Sequence, residues 1–243
     1  MKLRILAIFL STFISITAHT ERTPDECFKL RRYGIATSSW SIQGWAISKF
    51  KHELAGCKSK SLYIPNEIKG KKVLLIDPQT FKGLGLKFVK IGKNMNNIGN
   101  RAFKDNKISS VVFNNDFYEL DIGYSAFENN KIASLTLPKN LISIGKNAFA
   151  NNKIANNVNA EMVDRLGVGA FQNNQLKEAS VSYFRDGDMA RAFDEGVEIT
   201  FHGIRVYNNC GPNFTHDRGF TCESYSDLKT TTSFKLISRG SSN

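Results

Sequence analysis

The chain is poor in the side chains that carry catalysis. It has four histidines, four cysteines and two tryptophans in 243 residues. His19 lies close to the N-terminus, and His52, His202 and His216 share no spacing that suggests a metal site or a triad. No Gly-x-Ser-x-Gly, His-Glu-x-x-His or phosphate-binding loop occurs. The acids of "DGDMARAFDE" (186–195) lack the regular ligand alternation of a calcium loop, so a plain turn is expected there. The chain therefore reads as non-enzymatic, with no catalytic residues, no metal and no cofactor.

Long apolar runs are also missing beyond the N-terminus. "MKLRILAIFLSTFISITAHT" opens with Lys2 and Arg4, runs apolar apart from Ser and Thr over 5–17, and reaches small Ala18. That layout predicts a cleaved signal peptide over 1–18. An uncleaved N-terminal anchor is the competing reading, although the run is short for a membrane span. With the signal removed no transmembrane segment is expected, and the chain is expected to be secreted, periplasmic or on the cell surface.

In an oxidising compartment four cysteines favour disulfides. Cys27 and Cys57 lie near one end of the chain, Cys210 and Cys222 near the other. Pairing within each end is the economical connectivity. "CGPNFTHDRGFTC" does set His216 between two cysteines, but it lacks the close Cys-x-x-Cys spacing of a zinc site. "NFT" (213–215) is a glycosylation acceptor only in a eukaryotic source.

Acids are scarce in one half only. The formal net charge is +11, or +9 without Lys2 and Arg4. Residues 22–110 hold 18 Lys+Arg against 6 Asp+Glu, and residues 111–243 hold 13 against 15. Lys58, Lys60, Lys69, Lys71, Lys72, Lys87, Lys90 and Lys93 crowd into 36 residues. Lys60 and Lys87 recur at one repeat position, as do Lys107, Lys131 and Lys153. Such lysines either form a solvated face or meet an anionic partner: an acidic protein, or a sulfated or envelope polysaccharide. No nucleic acid is expected.

What the chain has in abundance is repetition. "IGNRAFKDNKIS" (98–109), "IGYSAFENNKIA" (122–133), "IGKNAFANNKIA" (144–155) and "LGVGAFQNNQLK" (166–177) are one line written four times. Phe81, Phe103, Phe127, Phe149, Phe171 and Phe193 recur at intervals of 22, 24, 22, 22 and 22. A fixed period in the twenties marks a solenoid. In the unit 132–153, Ile132, Leu135 and Leu137 predict a short strand with one apolar face, which Pro138 ends. Leu141 and Ile144 turn back inward, Gly145 makes a tight turn, and Ala148 and Phe149 fill the interior from a short helical turn. A single unit buries too little to offset the entropy of ordering it, so units must stack. Phe then falls on Phe, and Asn106, Asn130, Asn152 and Asn174 form a column expected to satisfy buried backbone groups. The unit 154–167 is degenerate: Asn157 and Asn159 stand where Leu135 and Leu137 stand one unit earlier. Either its strand shifts by one residue or two Asn face the core. The two extra residues of the 24-residue unit fall near "NNDFYE", at a strand exit.

The unit I-x-x-L-x-L-P-x-x-L-x-x-I-G-x-x-A-F-x-x-N resembles the BspA-type (Treponema pallidum-type) leucine-rich repeat. "LYIPNEIKGKKVLLID" (62–77) resembles that family's opening unit, with Asp77-Pro78 in place of the usual Ile-Gly continuation. The resemblance implies a leucine-rich-repeat solenoid, a right-handed superhelix of about six coils of 22–24 residues, built of short β-strands and short helical turns. It also implies a surface or secreted adhesion-type protein that binds another protein. The expected organisation is a cap over 19–58, the solenoid over 59–202, and a C-terminal cap with a flexible tail over 203–243. "SSWSIQGWAISKF" predicts a hairpin turning at Gln43-Gly44, with Trp40 and Trp45 as a lid over the layer of Phe81. "VEITFHG" (197–203) predicts a last strand.

Overall fold

The computed structural model describes residues 22–36, 41–114, 118–182, 189–202, 215–216, 220–221 and 233–237. Strands β1 (Phe28–Ala36) and β2 (Ser41–Phe50) form an antiparallel hairpin at the N-terminal end. The solenoid follows as β3 (Ser61–Tyr63), β4 (Glu67–Ile68), β5 (Lys71–Ile76), β6 (Phe88–Ile91), β7 (Asn97–Ile98), β8 (Ser110–Phe113), β9 (Leu120–Ile122), β10 (Leu141–Ile144), β11 (Val158–Ala160), β12 (Arg165–Leu166), β13 (Glu178–Ser182) and β14 (Glu198–His202). A small hairpin of β15 (Thr215–His216) and β16 (Phe220–Thr221) precedes β17 (Ser233–Ile237).

Most coils give one strand to each of two sides. On one side β2, β5, β7, β9, β10 and β12 pair in parallel. On the other, β3, β6 and β8 form one parallel ladder and β11, β13 and β14 another. Both ends are closed by antiparallel strands: β1 lies against β2, and β17 against β14. An open parallel ladder leaves unpaired N–H and C=O groups at each end, and a reversed strand satisfies them.

The core is the repeat itself. The rings from Phe81 to Phe193 stack nearly parallel, with centroids 5.1, 5.0, 5.2, 5.5 and 5.4 Å apart, so the stack spans five full turns. The Asn column closes each coil from inside. Asn152 donates from Nδ2 to the carbonyls of Phe127 and Phe149, both at 3.0 Å, and its Oδ1 accepts the Ile132 N–H at 3.1 Å. Asn106, Asn130 and Asn174 repeat the arrangement, so these amides replace water for buried backbone groups. Beside them, Asp105, Asn129, Asn151 and Asn173 take left-handed backbone conformations with φ of 56–60°.

Ala148 and Phe149 sit in a single short turn that does not extend into a helix: Ala148 N–H bonds Gly145 O, but Phe149 N–H crosses to Ala170 O in the next coil. Alternate amides that leave for the neighbouring coil cannot continue a helix. No strand forms over 131–138, although Leu135 is buried. The cause lies one coil on. β11 starts at Val158, 23 residues after Leu135, and regains register by pairing Val158 with Ala179, 21 residues later. The degenerate unit therefore shifts by one residue, which buries Val158 and Ala160 and leaves Asn157 and Asn159 exposed.

The hairpin does not turn at Gln43-Gly44: both lie inside β2, paired with Gly34 and Tyr33 of β1. Gly44 is needed there because a Cβ would come 2.3 Å from Lys72 O. The lid over Phe81 is made by Phe50 and Phe28, with centroids 5.3 Å from Phe81 to Phe50 and 5.8 Å from Phe50 to Phe28. Trp45 packs at the side of the core and donates from Nε1 to Ile68 O at 2.9 Å; Trp40 is outside the described residues.

Candidate functional site

Rigid rows of side chains are what this fold offers a partner. On the side of β3, β6 and β8, Leu62, Val89 and Val111 point into the core, and their neighbours point out. The pairing register places Ser61, Phe88 and Ser110 in one outward row, and Tyr63, Lys90 and Val112 in the next. Tyr63 and Phe88 are half-buried and touch with centroids 5.4 Å apart, and Val112 is among the exposed large apolar side chains. Ser134 and Thr136 continue the face as short, exposed groups. Tyr63 and Phe88 were not singled out from sequence, although the signal was there: each lies one step off the buried position of its strand.

The eight lysines of the basic stretch stand in several different settings. Lys69 and Gly70, with φ of 51° and 70°, are the tight turn joining β4 to β5. Lys71 and Lys72 begin β5 itself. Lys71 Nζ lies 5.2 Å from the centre of the Trp45 ring, and Lys72 Nζ donates to the Tyr118 hydroxyl at 2.7 Å. Lys93 is exposed at the corner after β6, where its N–H bonds the Asn66 side chain. Lys90 belongs to the outward row of β6. Lys58, Lys60 and Lys87 are exposed on the approach to β3 and β6, and Lys60 and Lys87 stack through the bond from Lys87 N–H to Lys60 O at 2.8 Å.

Cys27 and Cys57 are joined, with Cα atoms 5.5 Å apart, and tie the start of the hairpin to the entry of the first coil. Cys210 and Cys222 lie outside the described residues. Asp77 occupies the slot that Gly99, Gly123, Gly145 and Gly167 hold in later coils. It can carry a side chain because its neighbour is the cap rather than another coil, and both its oxygens accept from Arg31 on β1. Those hydrogen bonds, and then the carboxylate charge, raise the Arg31 pKa against the opposing effect of burial. Among the described residues no group of His, Cys, Asp and Glu is placed to hold a metal ion. No helix among them is long and apolar enough to cross a membrane.

The profile of the BspA type leucine rich repeat region matches residues 48–177 in six copies, just over half of the chain. The chain belongs to the BspA-type leucine-rich repeat family. The crystal structure of a T. pallidum leucine rich repeat protein is similar, with a TM-score of 0.52 and 21% identity over 65% of this chain and 71% of that one. At that identity the likeness speaks for the fold. No curated protein matches the sequence. BspA-type repeats typically mediate protein interactions.

Proposed function

We propose that this BspA-type chain is an exported, non-enzymatic binding module of the surface or adhesion type, holding a protein partner on the outer face of β3, β6 and β8. The observation that carries this reading is the half-buried Tyr63–Phe88 pair, with exposed Val112 farther along the row of Tyr63, past Lys90, on a scaffold locked by the Phe and Asn columns. Large rigid side chains on a preformed surface lose little entropy on binding, so their contact area turns efficiently into affinity. Export rests on the basic start and apolar run of residues 1–18.

The test is a photo-crosslinker on Ser110→Cys, compared with one on Lys146→Cys, each in mature protein incubated with envelope or host-cell extract at high salt. The expected result is a protein captured from position 110 only, and lost when Tyr63→Ala and Phe88→Ala are combined. Equal capture from both positions, or capture that survives the double substitution, rejects this face. Mass analysis of the chain recovered from its source should show residues 1–18 removed; a retained Met1 rejects export by this route.

A further inference from the structure

A single file of lysines runs along one edge of the solenoid, bordering the face described above. Lys107, Lys131 and Lys153 each lie between a buried Asn of the column and a buried Ile, so their backbone is fixed on both sides. They follow one another coil by coil: Lys107 N–H bonds Leu86 O, Lys131 N–H bonds Ile108 O, and Lys153 N–H bonds Ile132 O. In the preceding coil the equivalent position is Gly85, which has no side chain to offer. Lys60 supplies the missing cation. Its Nζ lies 3.6 Å from where a Gly85 Cβ would be, held there by a bond to Leu84 O at 2.8 Å. Lys87 stands beside this first pair. The file ends one coil after Lys153, where Gln175 takes the slot.

All five lysines are exposed, and none forms an ion pair among the described residues. Acids do occur nearby, but they are committed elsewhere: Asp105 faces Lys82, and Glu128 holds Lys104 at 2.6 Å. The coil spacing along the file is the 5.0–5.2 Å of the Phe stack. Like charges carried on successive coils repel, and an anion laid along them relieves the repulsion.

We propose that this edge binds a linear acidic polysaccharide, its sulfates or carboxylates tracking the ammonium groups of Lys60, Lys107, Lys131 and Lys153, with Lys87 at one side. A straight file suits an extended chain. The chain neighbours of Lys107, Lys131 and Lys153 are buried Asn and Ile, and Phe88 beside Lys87 packs against Tyr63 with centroids 5.4 Å apart, so no aromatic ring interleaves with the three stacked lysines to stack a nucleic-acid base. None of the exposed large apolar residues Leu54, Val112, Tyr124 or Met162 belongs to the file, so nothing there enters a lipid surface.

The experiment measures retention of the mature protein on heparin across a salt series. The variant is Lys107→Gln, Lys131→Gln and Lys153→Gln combined; the control removes as many charges by Lys49→Gln, Lys139→Gln and Lys146→Gln. The file variant should bind about tenfold more weakly, with a slope of log affinity against log salt smaller by about 2. The control should lose far less, and Lys107→Arg, Lys131→Arg and Lys153→Arg combined should keep retention, which separates lost charge from lost folding. Affinity for size-defined heparin oligosaccharides should rise with length and level off. No retention of the wild type overturns the proposal, as do equal losses in file variant and control, or loss in the Arg variant. Stronger binding to a single-stranded oligonucleotide or to vesicles rich in phosphatidylserine than to heparin also overturns it.

Discussion

The side-chain amide of Asn156 holds the backbone of Leu135 from both sides, accepting its N–H at 2.9 Å and donating to its carbonyl at 3.0 Å. It stands in for the strand pairing that segment 131–138 lacks and ties that segment to the chain just before β11. Asn156→Ala should destabilise the protein by about 1–3 kcal/mol, because it strands a donor and an acceptor together. Urea unfolding checks the magnitude, and hydrogen exchange at the Leu135 amide should quicken before any other core amide. Unchanged exchange there would mean that the clip carries no weight.

The Phe stack makes a second, larger prediction. Phe149 lies between Phe127 at 5.2 Å and Phe171 at 5.5 Å and is fully buried. Phe149→Ala should cost about 3–5 kcal/mol. Phe193 touches one repeat ring, so Phe193→Ala should cost clearly less. Equal costs, measured by denaturant titration, would show that the column does not act as a continuous stack.

A third prediction separates close coil contact from glycine's effect on the unfolded chain. A Cβ on Gly145 would come 2.5 Å from the Tyr124 backbone nitrogen, whereas one on Gly56 would meet nothing within 4 Å. Gly145→Ala should cost about 1–3 kcal/mol, since the obstacle is backbone and can yield only if the coils separate. Gly56→Ala should be close to neutral. Matching thermal midpoints for the two variants would contradict the observed spacing of the coils.

Legibility differed sharply between repeat and ends. Leu86, Val89, Ile91, Met95, Ile98, Ala102 and Phe103 are buried as their register requires, because each meets its own equivalents above and below and one coil predicts the next. The cap has no such neighbours. Its aromatic pattern identifies a cover but not which rings do the covering, and Phe28 and Phe50 hold the place over Phe81 that was expected of Trp45.

The candidate sites divide in the same way. The stacking of Lys107, Lys131 and Lys153 follows from the period alone. That Lys60 fills the slot of Gly85, while Lys71 and Lys72 turn to Trp45 and Tyr118, depends on where long flexible side chains come to rest among groups far away in sequence. The sequence by itself determined the coil, its Phe and Asn columns and the membership of the repeat family, because a period of identical short-range choices has one way to stack. Only the tertiary structure decided the break at Leu135, the reversed strands β1 and β17 that close the ends, and the aromatic pair open to a partner. Those features arise where the period fails or stops, and there the answer depends on residues brought together from distant parts of the chain.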